Sequence, residues 1–305
     1  GATASVAKIN AAAAALILAT LAVAPAQAQL EANLGAMTEE NVKGYLSPFP
    51  TALSATMNSA IFRSGYIAKD KLQFQVGVHA MAVTFDDEDR LYTPTTPPDF
   101  SSDQSIQAPT VIGSTQYAEQ FGDGGAVQYY PGGFDIQQLT VAAPQISIGG
   151  FMGTQLVARW FAYDIGDEAE DADFGEFKLF GIGVQHSISQ YVPTMPFDLA
   201  IGGFYQNFEI GEDLLDSTGL HLNATASKRF SLLEPYIGIG YDQYDLTVRY
   251  DSEEFDGDEI EVEFDTESNF HFTAGSQLHL GPVHLHGEYN AAAETSFAVG
   301  LGVGM

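Results

Sequence analysis

Leu179-Phe180-Gly181-Ile182-Gly183-Val184-Gln185-His186-Ser187 is the stretch whose reading decides the fold. Phe180, Ile182, Val184 and, just beyond, Ile188 share one face of a strand, while Gly181, Gly183, Gln185, Ser187 and Ser189 share the other. A water-facing sandwich strand alternates too, but with longer and more charged polar residues. Small and amide side chains suit the lumen of a narrow membrane barrel. The pattern recurs where Leu220, Leu222, Ala224 and Ala226 oppose His221, Asn223, Thr225 and Ser227. It recurs again where Phe297, Val299, Leu301 and Val303 oppose Ser296, Ala298, Gly300, Gly302 and Gly304.

Working outward, period-two segments run over Leu72–Phe85, Gln138–Gly149, Gly153–Tyr163, Gly175–Ser189, Phe197–Ile210, Thr218–Phe230, Pro235–Tyr250, Ser268–Leu280, Val283–Asn290 and Thr295–Met305. In the first, the alternation slips near Ala80, as a bulge would cause. Mid-strand charges are assigned to the polar side at Arg159, Asp242, Asp245 and Glu288. Long acidic connections, Asp86–Asp135, Asp164–Glu176, Glu209–Asp216 and Asp251–Glu267, alternate with short ones around Gly150–Met152, Gln190–Pro196, Ser231–Glu234 and Gly281-Pro282. The long set holds 30 of the 40 carboxylates, which sorts the acid to one end. Only the last outer connection, Ala291–Glu294, is short. Aromatic residues fall toward both ends, Phe151, Tyr191, Phe197, Phe230 and Tyr236 at the short turns and Trp160, Phe161, Tyr163, Phe177, Phe208, Tyr250, Phe270 and Phe272 at the long loops. The fold class expected is all-β: an up-and-down antiparallel transmembrane β-barrel of about ten strands, within eight to twelve because Asp86–Asp135 has room for another hairpin.

Residues 1–28 read as a signal peptide. Lys8 precedes an apolar run from Ile9 to Ala24, then Pro25 and the Ala26-Gln27-Ala28 cleavage pattern. Residues 29–70 read as an N-terminal helical segment that plugs the barrel or covers its periplasmic mouth, and residues 71–305 as the barrel. Within that segment, Thr38 before Glu39 and Glu40 looks like a helix start that Pro48 and Pro50 interrupt, and Thr51 to Phe62 suits a second short helix. Both chain ends are expected in the periplasm.

The net charge of −29, from 40 acidic and 11 basic residues, disfavours nucleic acid as a partner. With 21 Phe and 14 Tyr the chain is not composed like a disordered one. Cysteine is absent, which removes disulfides, thiolate metal sites and Cys nucleophiles.

From about Tyr45 onward the chain resembles an uncharacterised bacterial domain-of-unknown-function family of expected outer-membrane barrels. The stretches that carry the resemblance are Ala108-Pro-Thr-Val-Ile-Gly113, Pro131-Gly-Gly-Phe-Asp135, Ala143-Pro-Gln-Ile-Ser-Ile-Gly149 with Gly153-Thr154, Leu179 to His186 with Ser187-Ile-Ser-Gln-Tyr-Val-Pro193, Ser227-Lys228 and Pro235-Tyr236. The resemblance implies the location and the barrel. It implies no activity and supplies no catalytic residues.

Histidine is the most specific chemistry on offer. A two-residue Gly281-Pro282 turn pairs His279 with His284 on one face, with His286 and Glu288 beyond them. His279, His284 and His286 are the candidate metal ligands, for Zn²⁺, Ni²⁺ or Cu²⁺. The other reading of the same residues is a polar lumen lining. The acidic loops do not match the EF-hand spacing; they leave weak divalent cation binding open and call for no other cofactor. Gly-x-Ser-x-Gly is absent, and the reading is not an enzyme. Expected partners are the lipid bilayer, lipopolysaccharide, the barrel-assembly machinery and a small-molecule solute. The functional expectation is a narrow or plugged channel or transporter for a small solute, hydrophobic ones included; the alternative is a non-conducting structural or surface-interaction barrel working through its acidic loops.

Overall fold

The structure is a computed structural model that describes residues 26–97, 100–101, 104–164, 176–211, 214–251, 259–265 and 269–305. The expected signal peptide lies outside the described residues up to Pro25. Three helices come first: α1 (Ala26–Gly35), α2 (Glu39–Leu46) and α3 (Pro48–Met57). α2 stops at Leu46, before Pro48, and Pro48 itself begins α3, ahead of the expected start at Thr51, because a first-turn position needs no N–H donor.

Ten strands follow: β1 (Gln73–Thr84), β2 (Gln138–Phe151), β3 (Thr154–Asp164), β4 (Glu176–Ser187), β5 (Asp198–Ile210), β6 (Leu215–Ser227), β7 (Leu233–Asp251), β8 (Asn269–Leu280), β9 (Val283–Ala291) and β10 (Thr295–Gly304). Each pairs antiparallel with its neighbour in sequence, and β1 pairs with β10, so the sheet closes as an up-and-down barrel. Outside the ring, Glu259–Asp265 pairs with Asp245–Asp251 of β7 and prolongs that hairpin beyond the barrel. The first long connection holds two small ribbons, Leu91–Tyr92 with Ala108–Pro109 and Ala118–Phe121 with Val127–Tyr130. The third connection is short, since β5 and β6 run on to Ile210 and Leu215.

Outward positions are apolar and exposed along the ring. Examples are Phe180, Ile182 and Val184 on β4, Ile237 and Ile239 on β7, and Phe297, Val299, Leu301 and Val303 on β10. A closed ring satisfies every strand's backbone without water, and such an apolar band has to be covered by hydrocarbon. The protein is an outer-membrane β-barrel, with the short turns gathered at one end of the ring, here the inner end, and the long loops at the other, the outer end.

The inward face departs from the expected polar lumen in its outer half. Met81, Val83, Leu139, Val141, Phe161, Leu179, Phe208, Tyr244, Leu246 and Val248 are all buried there. They pack on Leu34, Met37, Val42, Tyr45, Leu53 and Met57 of the helices. This removes the bulge expected near Ala80. The register of β1 is unbroken against both neighbours, and Met81 and Val83 point inward because apolar helices lie there. It also removes half of the eight-residue outer aromatic girdle: Phe161, Phe208 and Tyr250 are buried inward and Phe177 packs against the same core, and at the other end Tyr236 also faces inward. Asp245 is a further correction, since it cannot share a face with Asp242; it points outward and exposed where β7 leaves the ring.

α3 lies inside the ring, touching β1, β2, β7 and β10. α1 and α2 lie at the long-loop end, not at the periplasmic mouth. Tyr45 Oη donates to the Gly132 carbonyl (3.0 Å), Val111 N–H donates to the Tyr45 carbonyl (2.8 Å), and Asn41 exchanges hydrogen bonds with Thr95. The chain therefore runs from an outer cap, down through the lumen as α3 and residues 58–65, and out at the short-turn end before turning into β1. At the short-turn end the last residue, Met305, pairs with Phe74.

The outer rim carries a pH-sensitive contact. Glu294, in the short turn between β9 and β10, has its carboxyl pushed up to about 7, first by burial and then by Asp89 and Asp86. A raised carboxyl favours the folded state below its ordinary value near 4.5, and that contribution is lost as pH rises through about 7. Glu294→Gln is expected to raise the thermal midpoint at pH 8 and to change it little at pH 4. Equal effects at both pH values would remove the assignment.

Candidate functional site: the polar lumen

Residues 58–65 cross the inner half of the lumen without regular structure, so their backbone groups need partners from the wall. Glutamines from four strands reach this segment, three of them bonding its backbone carbonyls and one the Asn58 side chain. Gln206 Nε2 donates to Asn58 Oδ1 (2.8 Å), Gln145 Nε2 to the Ile61 carbonyl (3.3 Å), Gln277 Nε2 to the Arg63 carbonyl (2.9 Å) and Gln185 Nε2 to the Ser64 carbonyl (3.2 Å). Glu288 Oε1 accepts from Ala60 N–H and Asn290 Nδ2, both at 2.8 Å, and its Oε2 accepts from Tyr236 Oη (2.8 Å). Ser59 Oγ and Ser296 Oγ are 2.8 Å apart.

Arg159 on β3 is fully buried and closes the end of α3. Its Nη1 donates to the Met57 carbonyl (3.0 Å) and its Nη2 to the Ser59 carbonyl (2.9 Å), while Nε and Nη2 both reach Gln145 Oε1 (3.2 and 2.9 Å). A cation at a helix C-terminus also meets the negative end of the helix dipole.

Six of the seven histidines line the wall as three pairs, each with ring centroids 4.8–4.9 Å apart. Three consecutive plug residues meet them. Arg63 Nη1 lies 3.0 and 3.1 Å from the two ring nitrogens of His79 and 3.4 Å from His286 Nδ1, and Arg63 Nη2 donates to Gln75 Oε1. Phe62 stacks on His221, 6.0 Å between centroids, with His271 stacked beyond it. Ser64 Oγ donates to Glu234 Oε1 (2.5 Å), whose Oε2 lies 2.9 Å from His279 Nε2. His186 is the exception: it faces outward at the short-turn end and bonds Thr154 and Tyr191.

The structure brings only part of the sequence-derived metal set together. The Gly281-Pro282 hairpin has the expected register, with His279 opposite His284 and their Nδ1 atoms 2.8 Å apart. His286 belongs to another pair, held against a guanidinium, and the three do not converge. Sequence reading missed His221, Asp242 and His271. Asp242 Oδ1 and Oδ2 each lie 2.6 Å from an Nδ1, of His221 and His271 respectively. A signal existed: a two-residue turn at Ser231-Leu232 pairs Phe230 with Leu233, as observed, and sets His221 opposite Asp242. Placing that turn over Ser231–Glu234 concealed it.

A family model described as a family of unknown function (DUF6588) matches residues 7–305. The chain belongs to that family. The match extends the resemblance seen from Tyr45 back through the helices of the plug. No curated protein matches the chain. Among solved structures, the outer-membrane protease OmpT of Escherichia coli is similar at 9% identity, covering 78% of this chain and 98% of that one, with a TM-score of 0.37. The toluene transporter TbuX of Ralstonia pickettii gives 12% identity, 84% and 96% coverage and a TM-score of 0.30. The attachment invasion locus protein Ail of Yersinia pestis gives 8%, 77% and 99%, and 0.27. At such identities the likeness to these solved structures is one of fold alone.

Proposed function

We propose that the protein is a plugged outer-membrane channel for a small solute, opened when residues 58–65 leave the inner half of the lumen. One observation carries this reading: plug and wall meet there chiefly through hydrogen bonds, from four glutamines, Arg159 and Glu288. Water can take over such bonds at a net cost of about 0.5–1.5 kcal/mol each, whereas an apolar seal has no substitute partner. The acidic outer loops suit a mouth that gathers cations and repels anions. In this reading the barrel-assembly machinery and lipopolysaccharide are the protein's partners during insertion and in the outer leaflet. The reading is non-enzymatic, which accords with Ser64 and Ser227 both donating to Glu234 rather than to a histidine.

The chain lacks cysteine, so a lock can be introduced cleanly. The paired substitutions Ser59→Cys and Ser296→Cys replace two hydroxyl oxygens 2.8 Å apart. In planar bilayers, the oxidised protein is expected to be silent and the reduced protein to show discrete openings. Identical conductance in both states would sink the displacement of the plug. Silence in both states, and in Arg159→Ala as well, would favour a non-conducting structural barrel.

A further inference from the structure

We propose that His221, Asp242 and His271 form a binding site for a divalent transition-metal ion of the Zn²⁺, Ni²⁺ or Cu²⁺ class. The residues come from three adjacent strands, β6, β7 and β8. His221 lies directly across from Asp242 in the β6–β7 register. His271 lies opposite Gly240, and a Cβ there would come within 2.3 Å of His271 Cε1, so glycine gives the ring room to lean over β7 toward Asp242. The two imidazoles are stacked 4.9 Å apart at an interplanar angle of 8°. Both turn Nδ1 to the same carboxylate, and one donor atom from each of the three residues lies within 4.8 Å of the others.

Charge favours an ion here. Asp242 is buried in the wall, and its ion-pair partners among the described residues are the two histidines. Neutral imidazoles give a carboxylate hydrogen bonds but no compensating charge, and an uncompensated buried charge is costly. Moving each Nδ1 proton to Nε2 of its own ring frees two nitrogen lone pairs beside one carboxylate, with no net gain or loss of protons. Two nitrogens and an oxygen suit borderline transition metals rather than Ca²⁺ or Mg²⁺, which take oxygen ligands. The remaining coordination positions would be filled by water. Phe62, stacked on His221, covers the site from the plug side, so the ion exchanges when residues 58–65 move.

The test is titration of the full-length protein in detergent with Cu²⁺, followed by electron paramagnetic resonance. One ion per chain is expected, with hyperfine coupling to two nitrogens. His221→Ala and His271→Ala should each weaken binding by at least about tenfold, the low end for disturbing a metal site. Asp242→Asn, which keeps an oxygen acceptor and should leave the fold intact, should weaken it too. Outward-facing His186→Ala should change nothing. Absence of stoichiometric binding, or a signal lost in His284→Ala but kept in both His221→Ala and His271→Ala, would overturn the assignment. Binding and conduction are read separately. A barrel that binds Cu²⁺ but never conducts keeps this site and loses the channel, and the converse result does the opposite.

Discussion

Arg159→Ala is expected to release the plug while leaving the barrel closed. The guanidinium is fully buried and joins three groups, the last carbonyl of α3, the Ser59 carbonyl and Gln145 Oε1. Alanine leaves these acceptors facing a cavity. Removing one partner from a buried charged network costs about 3–5 kcal/mol, enough to shift a docked segment toward an undocked one. The strands keep their own backbone ladders, so the folded, heat-modifiable band on detergent gels should persist. A thiol introduced at Asn58 should become reactive in the variant and stay protected in the parent. Arg159→Lys should rescue little, because a single ammonium cannot span the fork that a guanidinium offers. Unchanged thiol protection in Arg159→Ala would show that the anchor lies elsewhere.

Ile182→Arg is expected to impair insertion and stability about as strongly, through the opposite face. Ile182 is near the middle of β4, points outward and is 49% exposed, all of it toward hydrocarbon in the membrane. Arginine at the midplane of an outer-membrane barrel costs about 2–4 kcal/mol, falling to about 0–1 near the interfaces. Asp245→Lys is the control. Asp245 also points outward, but it lies where β7 pairs with Glu259–Asp265 beyond the ring, so its substitution should be nearly silent in urea unfolding from vesicles. Equal losses at both positions would contradict the placement of the bilayer.

These two residues mark the line between what the sequence makes legible and what it does not. Ile182 could be placed from its neighbours alone, since Phe180, Ile182 and Val184 alternate with Gly181, Gly183 and Gln185. The same rule located all ten strands to within a few residues and, with Gly281-Pro282, set His279 opposite His284. Arg159 was legible as inward-facing, but not as the cap of a helix that ends 102 residues earlier in the chain. Met81 and Val83 misled for the same reason. An inward apolar residue in a water-filled barrel reads as an error of register, yet in a barrel filled by its own chain it is core. His286 was grouped with His279 and His284 by spacing along the strand, while the position of Arg63, set by the path of the plug, gives it to His79. Contacts that a strand makes with its neighbours follow from local pattern. Contacts across the lumen depend on a segment whose route has no periodic signature.

The route of that segment constrains the order of assembly. The cap built from α1, α2 and the first long connection lies beyond one mouth, and the chain leaves by the other to begin β1. β1 then closes on β10, the last strand made. A folded cap of that width would have to be threaded through a finished ring, whereas a seam that zips last, from Val83–Ser296 to Gln75–Gly304, wraps around a chain already in place. The strand pair that seals the barrel is thus also the gate through which its own filling must enter.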